Sequence, residues 1–216
     1  MERKIKLIIL LFICSINVGA QNKIVSGKVY YDVVSDIDKK NYKYEMLNQE
    51  EPECKVFLEK PLKAELRFNS ERAVYDLIGE IRESSCLNII KMNTYQFVPM
   101  YTEKEETRTP ATKHRGDSAF NTFNNIDWKI TSESKTIQGF TCYKAIAEKR
   151  NEYKGAIKIV PIVAWFTPDI NYSYGPGGFH GLPGLILYAQ FMKATYSATK
   201  IVLSDKGMDV PIPKAD

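Results

Sequence analysis

Histidine is almost missing from this chain: there are two in 216 residues, His114 and His180. An imidazole-held metal site needs three or four converging ligands, and these two share no H-x-x-x-H or H-E-x-x-H spacing. No metal or other cofactor is therefore expected. Charge of one sign is scarce as well. The formal net charge is +4, and removing the first twenty residues, with Arg3, Lys4, Lys6 and Glu2, would bring it to about +2. Such a balance offers no electrostatic footprint for nucleic acid. Beyond the N-terminus no apolar run approaches the roughly 20 residues of a membrane-spanning helix, so no transmembrane segment is expected. Phosphate-loop wording, G-x-x-x-x-G-K-[ST], is absent too. Helical periodicity is weak everywhere; only Glu71 to Arg82 could support a helix, and Tyr75 and Gly79 argue against a long one.

The N-terminus has a clear pattern. Arg3, Lys4 and Lys6 precede the apolar run Leu7 to Ile16, and Val18-Gly19-Ala20 supplies small residues. That order predicts a secretory signal peptide cleaved after Ala20, leaving residues 21–216 as a single domain. Cys14 follows Ile13 and Phe12, a poor context for a lipid anchor. Export places the remaining cysteines, Cys54, Cys86 and Cys142, in an oxidising compartment. One bridge with one thiol left over is one reading, with Cys54 and Cys86 preferred because they flank a strand-like segment; three free thiols are the other. A bridge there would contribute roughly 4 kcal/mol by loop entropy. An exposed leftover thiol would suit a soft metal such as Cu(I).

Strand signals dominate the rest. Val25, Gly27, Val29, Tyr31 and Val33 alternate with polar residues, as do Ala64, Leu66 and Phe68, which is the period of a half-buried strand. Trp128, Ile130 and Ser132 continue the pattern. Ser134 to Gly139 then reads as a turn, returning through Phe140 to Ala147 as a hairpin. Val160 to Phe166, Leu185 to Phe191 and Ala194 to Leu203 are β-branched or aromatic runs of strand length. Glu103 to Asp117 has nothing more apolar than Ala111 and is expected to be an excursion from the core. Val210 to Asp216 reads as a frayed tail. Trp128, Trp165 and Phe166 suit either a sheet core or the lining of an apolar cavity.

Residues 175–184 hold five glycines and two prolines. Pro176 and Pro183 fix φ while the glycines permit tight bends, which makes a shaped loop and not a slack linker. Leu182, Leu185 and Leu187 lead back into a sheet, and Phe179 is available as a plug. Gly175, Pro176, Phe179, His180, Gly181, Leu182, Pro183 and Gly184 are thus either a structural crossover or a lip that faces a ligand or partner. His180 has no Ser or Cys nucleophile elbow beside it and reads as structural. Asp32, Asp127 and Asp169 have no spacing that marks a carboxylate pair. No catalytic residue is nominated.

Three blocks carry a resemblance: Lys135-Thr-Ile-Gln-Gly-Phe-Thr-Cys-Tyr-Lys-Ala145, Ala164-Trp-Phe-Thr-Pro-Asp-Ile170 and Gly175-Pro-Gly-Gly-Phe-His-Gly-Leu-Pro-Gly-Leu-Ile-Leu187. Their order and wording resemble the GLPGLI family of exported Bacteroidetes proteins. Gly177-Gly178 departs from it, because relatives often carry a bulkier residue after Gly-Pro; the departure predicts a looser loop and leaves any aromatic contact there in doubt. The resemblance implies a β-rich envelope protein without a settled activity. The hairpin pattern is also similar to lipoprotein carriers of the LolA type.

Together these imply a mainly β fold: a single antiparallel, strongly curved sheet or half-barrel with short helical segments. The expected role is that of an exported, non-enzymatic envelope protein in the periplasm. It would be a binding or carrier module for an apolar ligand, lipid or peptide. An accessory protein docking on an outer-membrane receptor is the second expectation, and a hydrolase the third.

Overall fold

Alternating side chains build one sheet in the computed structural model, which describes residues 24–35, 52–87, 99–103, 106–108, 123–124, 126–153 and 156–212. The predicted signal peptide and His114 lie outside these residues. Among the described residues eleven strands follow in chain order: β1 (Ser26–Ser35), β2 (Leu62–Asn69), β3 (Arg72–Ile78), β4 (Met100–Glu103), β5 (Glu106–Arg108), β6 (Phe123–Asn124), β7 (Lys129–Ile137), β8 (Phe140–Tyr153), β9 (Ala156–Thr167), β10 (Leu185–Phe191) and β11 (Ala194–Ser204). Their spatial order is β6-β5-β4-β3-β2-β1-β11-β10-β9-β8-β7, and all neighbouring strands pair antiparallel. β1 therefore sits at the centre, next to the last strand, and the two halves of the chain extend the sheet in opposite directions.

Period two decides which face is buried. Val29, Tyr31 and Val33 of β1 point inward with Ala64, Leu66 and Phe68 of β2, Ala145 and Ala147 of β8, and Ile162, Ala164 and Phe166 of β9. The predicted mainly β, single antiparallel sheet is what forms. Its ladder is open, with β6 and β7 at its two ends. The expected strongly curved sheet or half-barrel is corrected to an open sheet, whose inner face is covered by residues 170–184 of the same chain.

Three local expectations also change. Glu71 to Arg82 divides into strand β3 and a single helical turn, Glu80–Glu83. Inward Ala73, Tyr75 and Leu77 are nearly inaccessible, so tertiary burial at period two overrides the local helical tendency. β7 continues to Ile137, so the turn shrinks from Ser134–Gly139 to Gln138 and Gly139, both at positive φ; that is how a two-residue hairpin turn matches strand twist. Glu106–Arg108, inside the expected polar excursion, forms β5 with Thr107 fully buried.

The tail is not frayed at its start. Val210 is 1 % exposed and packs with Val74 and Tyr101 on the outer side of β3 and β4. Asn69 donates its side-chain amide to the Met208 carbonyl at 3.1 Å, and Ser26 its hydroxyl to the Lys206 carbonyl at 2.6 Å. Cys54 and Cys86 form a disulfide with Cα atoms 5.4 Å apart. It links the 3-10 turn Pro52–Lys55, which runs on into the helical turn Val56–Glu59, to the chain just beyond the helical turn Glu80–Glu83 at the end of the β2–β3 pair. Among the described residues no helix is long and apolar enough to cross a membrane.

Candidate functional site

The Gly/Pro segment enters from β9 and leaves into β10, and its backbone is held at nearly every step. Leu185 N–H donates to the Ile170 carbonyl at 3.0 Å, Ile186 N–H to Tyr174 at 2.9 Å, and Phe179 N–H to Pro176 at 3.1 Å. Gly181 N–H reaches the Ser173 hydroxyl at 2.9 Å. Pro176–Gly178 makes a tight 3-10 turn whose three residues are buried. The side chains anchor it on both sides of the sheet centre. Thr107 Oγ1 of β5 donates to the Gly178 carbonyl at 2.9 Å while Thr102 of β4 supplies its own hydroxyl at 2.8 Å. Trp128 Nε1, just before β7, donates to the His180 carbonyl at 2.8 Å. From the central strand, Tyr31 donates its phenol to the Ile186 carbonyl at 2.6 Å.

Phe179 fills the centre. It is 3 % exposed, and its ring meets Phe191 and Tyr196 at 6.0 Å and Trp128 at 6.5 Å, all edge to face. Such pairs add about 0.5–1.5 kcal/mol beyond burial. Tyr172 and Tyr174 stack on each other and lie against Phe68. The expected looseness at Gly177-Gly178 is corrected: a Cβ on Gly177 would lie 2.9 Å from the Tyr196 ring, and one on Gly178 would lie 2.6 Å from Thr107 Cγ2. Both also hold positive φ. Two consecutive residues without side chains let the turn sink into the core, and the aromatic contacts follow from that.

The residues singled out in the sequence therefore separate. Gly175, Pro176, Phe179, His180, Leu182 and Gly184 are buried in the segment, while Gly181 and Pro183 are exposed. His180 is 2 % exposed, so its ring has no access to a dissolved substrate. Trp128 and Phe179 pack together, and Phe166 joins the same core. Trp165 instead faces outward, where the Lys135 ammonium lies 4.1 Å from its ring and 4.6 Å from that of Tyr188. The three nominated cavity-lining residues do not surround one cavity. Cys142 is buried and free; burial pushes its thiol from 9.0 to about 11, which corrects the reading of an exposed soft-metal ligand. Asp32 pairs with Lys63 at 2.6 Å, and among the described residues no group of three or more His, Cys, Asp or Glu side chains could hold a metal.

Two features were missed because each depends on tertiary placement. The first is the outer face of β9. Ile157 and Ile159 are 50 % and 59 % exposed, and Pro161, Val163 and Trp165 continue the same face while residues 160, 162, 164 and 166 are buried. Ile146 of β8, opposite Val163, widens the stripe and is 37 % exposed. Exposed Glu148 and Arg150 border it. The unbroken apolar wording of 159–166 was the available signal: a strand apolar on both faces suits a sheet covered on both faces. The second is a half-open cavity of about 270 Å³ between residues 56–63 and 78–81. Its walls are brought together by the β2–β3 register and the flanking disulfide.

Comparison with known proteins adds little to the geometry. Residues 147–188, from β8 through the Gly/Pro segment into β10, match the family model described as "Protein of unknown function (Porph_ging)". No curated protein matches. A solved structure described as "Structure of PNGF-II in C2 space group" is similar with a TM-score of 0.48 and 16% identity, over 86% of this chain and 28% of that one.

Proposed function

We propose that this chain is an exported, non-enzymatic envelope protein of the GLPGLI type, and that it works as an accessory module docking on an outer-membrane protein through the outer face of β8 and β9. The observation that carries the reading is the exposed row Ile157, Ile159 and Ile146, continued by Val163 and Trp165. An apolar patch with a polar rim is how a docking surface differs from scattered exposed side chains. The charged, signal-peptide-like N-terminus and the Cys54–Cys86 disulfide support export to an oxidising periplasm. The self-filled inner face supports reading the Gly/Pro segment as a structural strap and not as a ligand lip. The test is site-specific photo-crosslinking in exporting cells. A crosslinker at Ile159 is expected to trap a membrane protein, and one at Glu65, on the charged outer face of β2, to trap none. Equal yields from both positions, or none from Ile159, would refute docking through β9.

A second reading, a carrier of an apolar ligand, is favoured by the cavity of about 270 Å³ beside the disulfide. Native mass spectrometry of the exported protein is expected to show added lipid mass under this reading. A clean apo mass counts against it.

A further inference from the structure

The cavity lies at the end of the β2–β3 pair, where Lys63 faces Ile78 across the ladder. Its apolar wall comes from Val56, Phe57, Leu62, Ile78 and Ile81. Leu62 and Ile81 are almost fully buried, and Phe57 and Ile78 are half-buried. The opposing walls are the helical turns Val56–Glu59 and Glu80–Glu83, which the flanking disulfide ties together. A cross-link behind both walls fixes their spacing before a ligand arrives, which lowers the ordering cost of binding. At about 270 Å³ the space falls just below the range of roughly 300–1,000 Å³ for drug-sized ligands. It suits one short aliphatic chain and not a diacyl lipid.

The lining also carries charge: Lys60, Lys63 and Glu80. Lys63 is committed to Asp32 at 2.6 Å, and the neighbouring Lys55 to Glu59 at 3.5 Å. With Lys63 neutralised by Asp32, Lys60, exposed at the rim, is the lining cation left to meet a headgroup, and it shares the mouth with the one carboxylate of Glu80. A lysine can lay its apolar stem along such a wall and keep its charged end at the mouth.

We propose that this disulfide-walled cavity binds a medium-chain aliphatic carboxylate, its chain on Phe57, Leu62, Ile78 and Ile81 and its headgroup at Lys60. This rests on the carrier reading and gives it a site and a ligand class. The docking face on β9 plays no part in it. The experiment is calorimetric titration of the mature, oxidised protein with decanoate below its micellar concentration, alongside decyltrimethylammonium. Decanoate is expected to bind at least tenfold more tightly than the cation. Lys60→Gln should weaken it at least fivefold, while Glu80→Gln should tighten it. Val56→Trp, at a position 42 % exposed and thus tolerant of a larger side chain, should fill the space and abolish binding. Equal binding of anion and cation, no binding of decanoate, or unchanged binding in Val56→Trp would each overturn the site. Lipid mass on the exported protein without decanoate binding would overturn the site and leave the carrier reading standing.

Discussion

Two regions of the outer sheet face meet water in different ways. Across β1 and β2 it is charged: Lys28 and Arg67 both approach Glu65, at 3.5 and 3.1 Å, and Lys63 meets Asp32 at 2.6 Å. Where β3 and β4 place apolar Val74 and Tyr101 on that face, the chain folds its own tail back and covers them with Val210. Along β9, with Ile146 of β8 beside it, the outward side chains are also apolar, yet Ile157 and Ile159 remain half exposed or more. The same chain thus covers one apolar outer patch and leaves another bare. Under the docking proposal the second patch is covered by another molecule, because burial of either patch is favourable at roughly 25 cal/mol per Å².

The sharpest way to break that contrast is to remove the cover. Val210→Asp would place a carboxylate against Val74 and Tyr101, which are 1 % and 6 % exposed. Losing a packed aliphatic group and leaving a charge without a partner should cost about 2–4 kcal/mol, measured by urea denaturation. If stability is unchanged, the tail is a passive neighbour and the two patches are equivalent.

Alkaline pH should act next, through the inner face shared by both halves. Burial raises the Tyr174 phenol from 10.0 to about 12 and the Cys142 thiol from 9.0 to about 11. Tyr31 and Tyr75 are raised well above the ordinary phenol value, also chiefly by burial. Each group stays protonated in the folded state after its unfolded counterpart has ionised. Its stabilising contribution is therefore complete below the unfolded value and is lost as pH rises through the folded one. Stability should fall progressively from about pH 9 to pH 12, followed by circular dichroism at fixed urea. A flat profile across that window would mean that the phenols and the thiol are hydrated.

In the charged region, Glu65→Gln removes the carboxylate shared by Lys28 and Arg67. These side chains are partly exposed, so the loss should stay below about 1 kcal/mol and shrink with added salt. A larger, salt-insensitive loss would show that this face contributes to the core.

How much of this was legible beforehand follows from what each signal depends on. Alternation in β1 and β2 and the apolar wording of β9 to β11 are local, and they marked strands correctly. Arg72–Ile78 misled because its residue types tolerate either period, and only the neighbours β2 and β4 decide. Thr107 and Val210 were read as loop and tail because their burial comes from Gly178 and from Val74 with Tyr101, far away in sequence. In the Gly/Pro segment the shaped turn was legible from φ preferences. Its inward direction was not, because that depends on Tyr196 and Thr107 lying where a Cβ on Gly177 or Gly178 would go.

The smallest expected effect separates the two patches most directly. Ile159→Lys alters a side chain that is 59 % exposed, so the isolated protein should change by no more than about 0.5 kcal/mol. The equally apolar Val74, at 1 %, should lose several times as much when it is replaced by Lys, because there the charge would be buried under the tail. If Ile159→Lys instead destabilises the isolated chain strongly, the stripe is part of the fold's own packing. The absence of any stability cost would accord with the docking proposal, since folding would then gain nothing from an apolar row on that face.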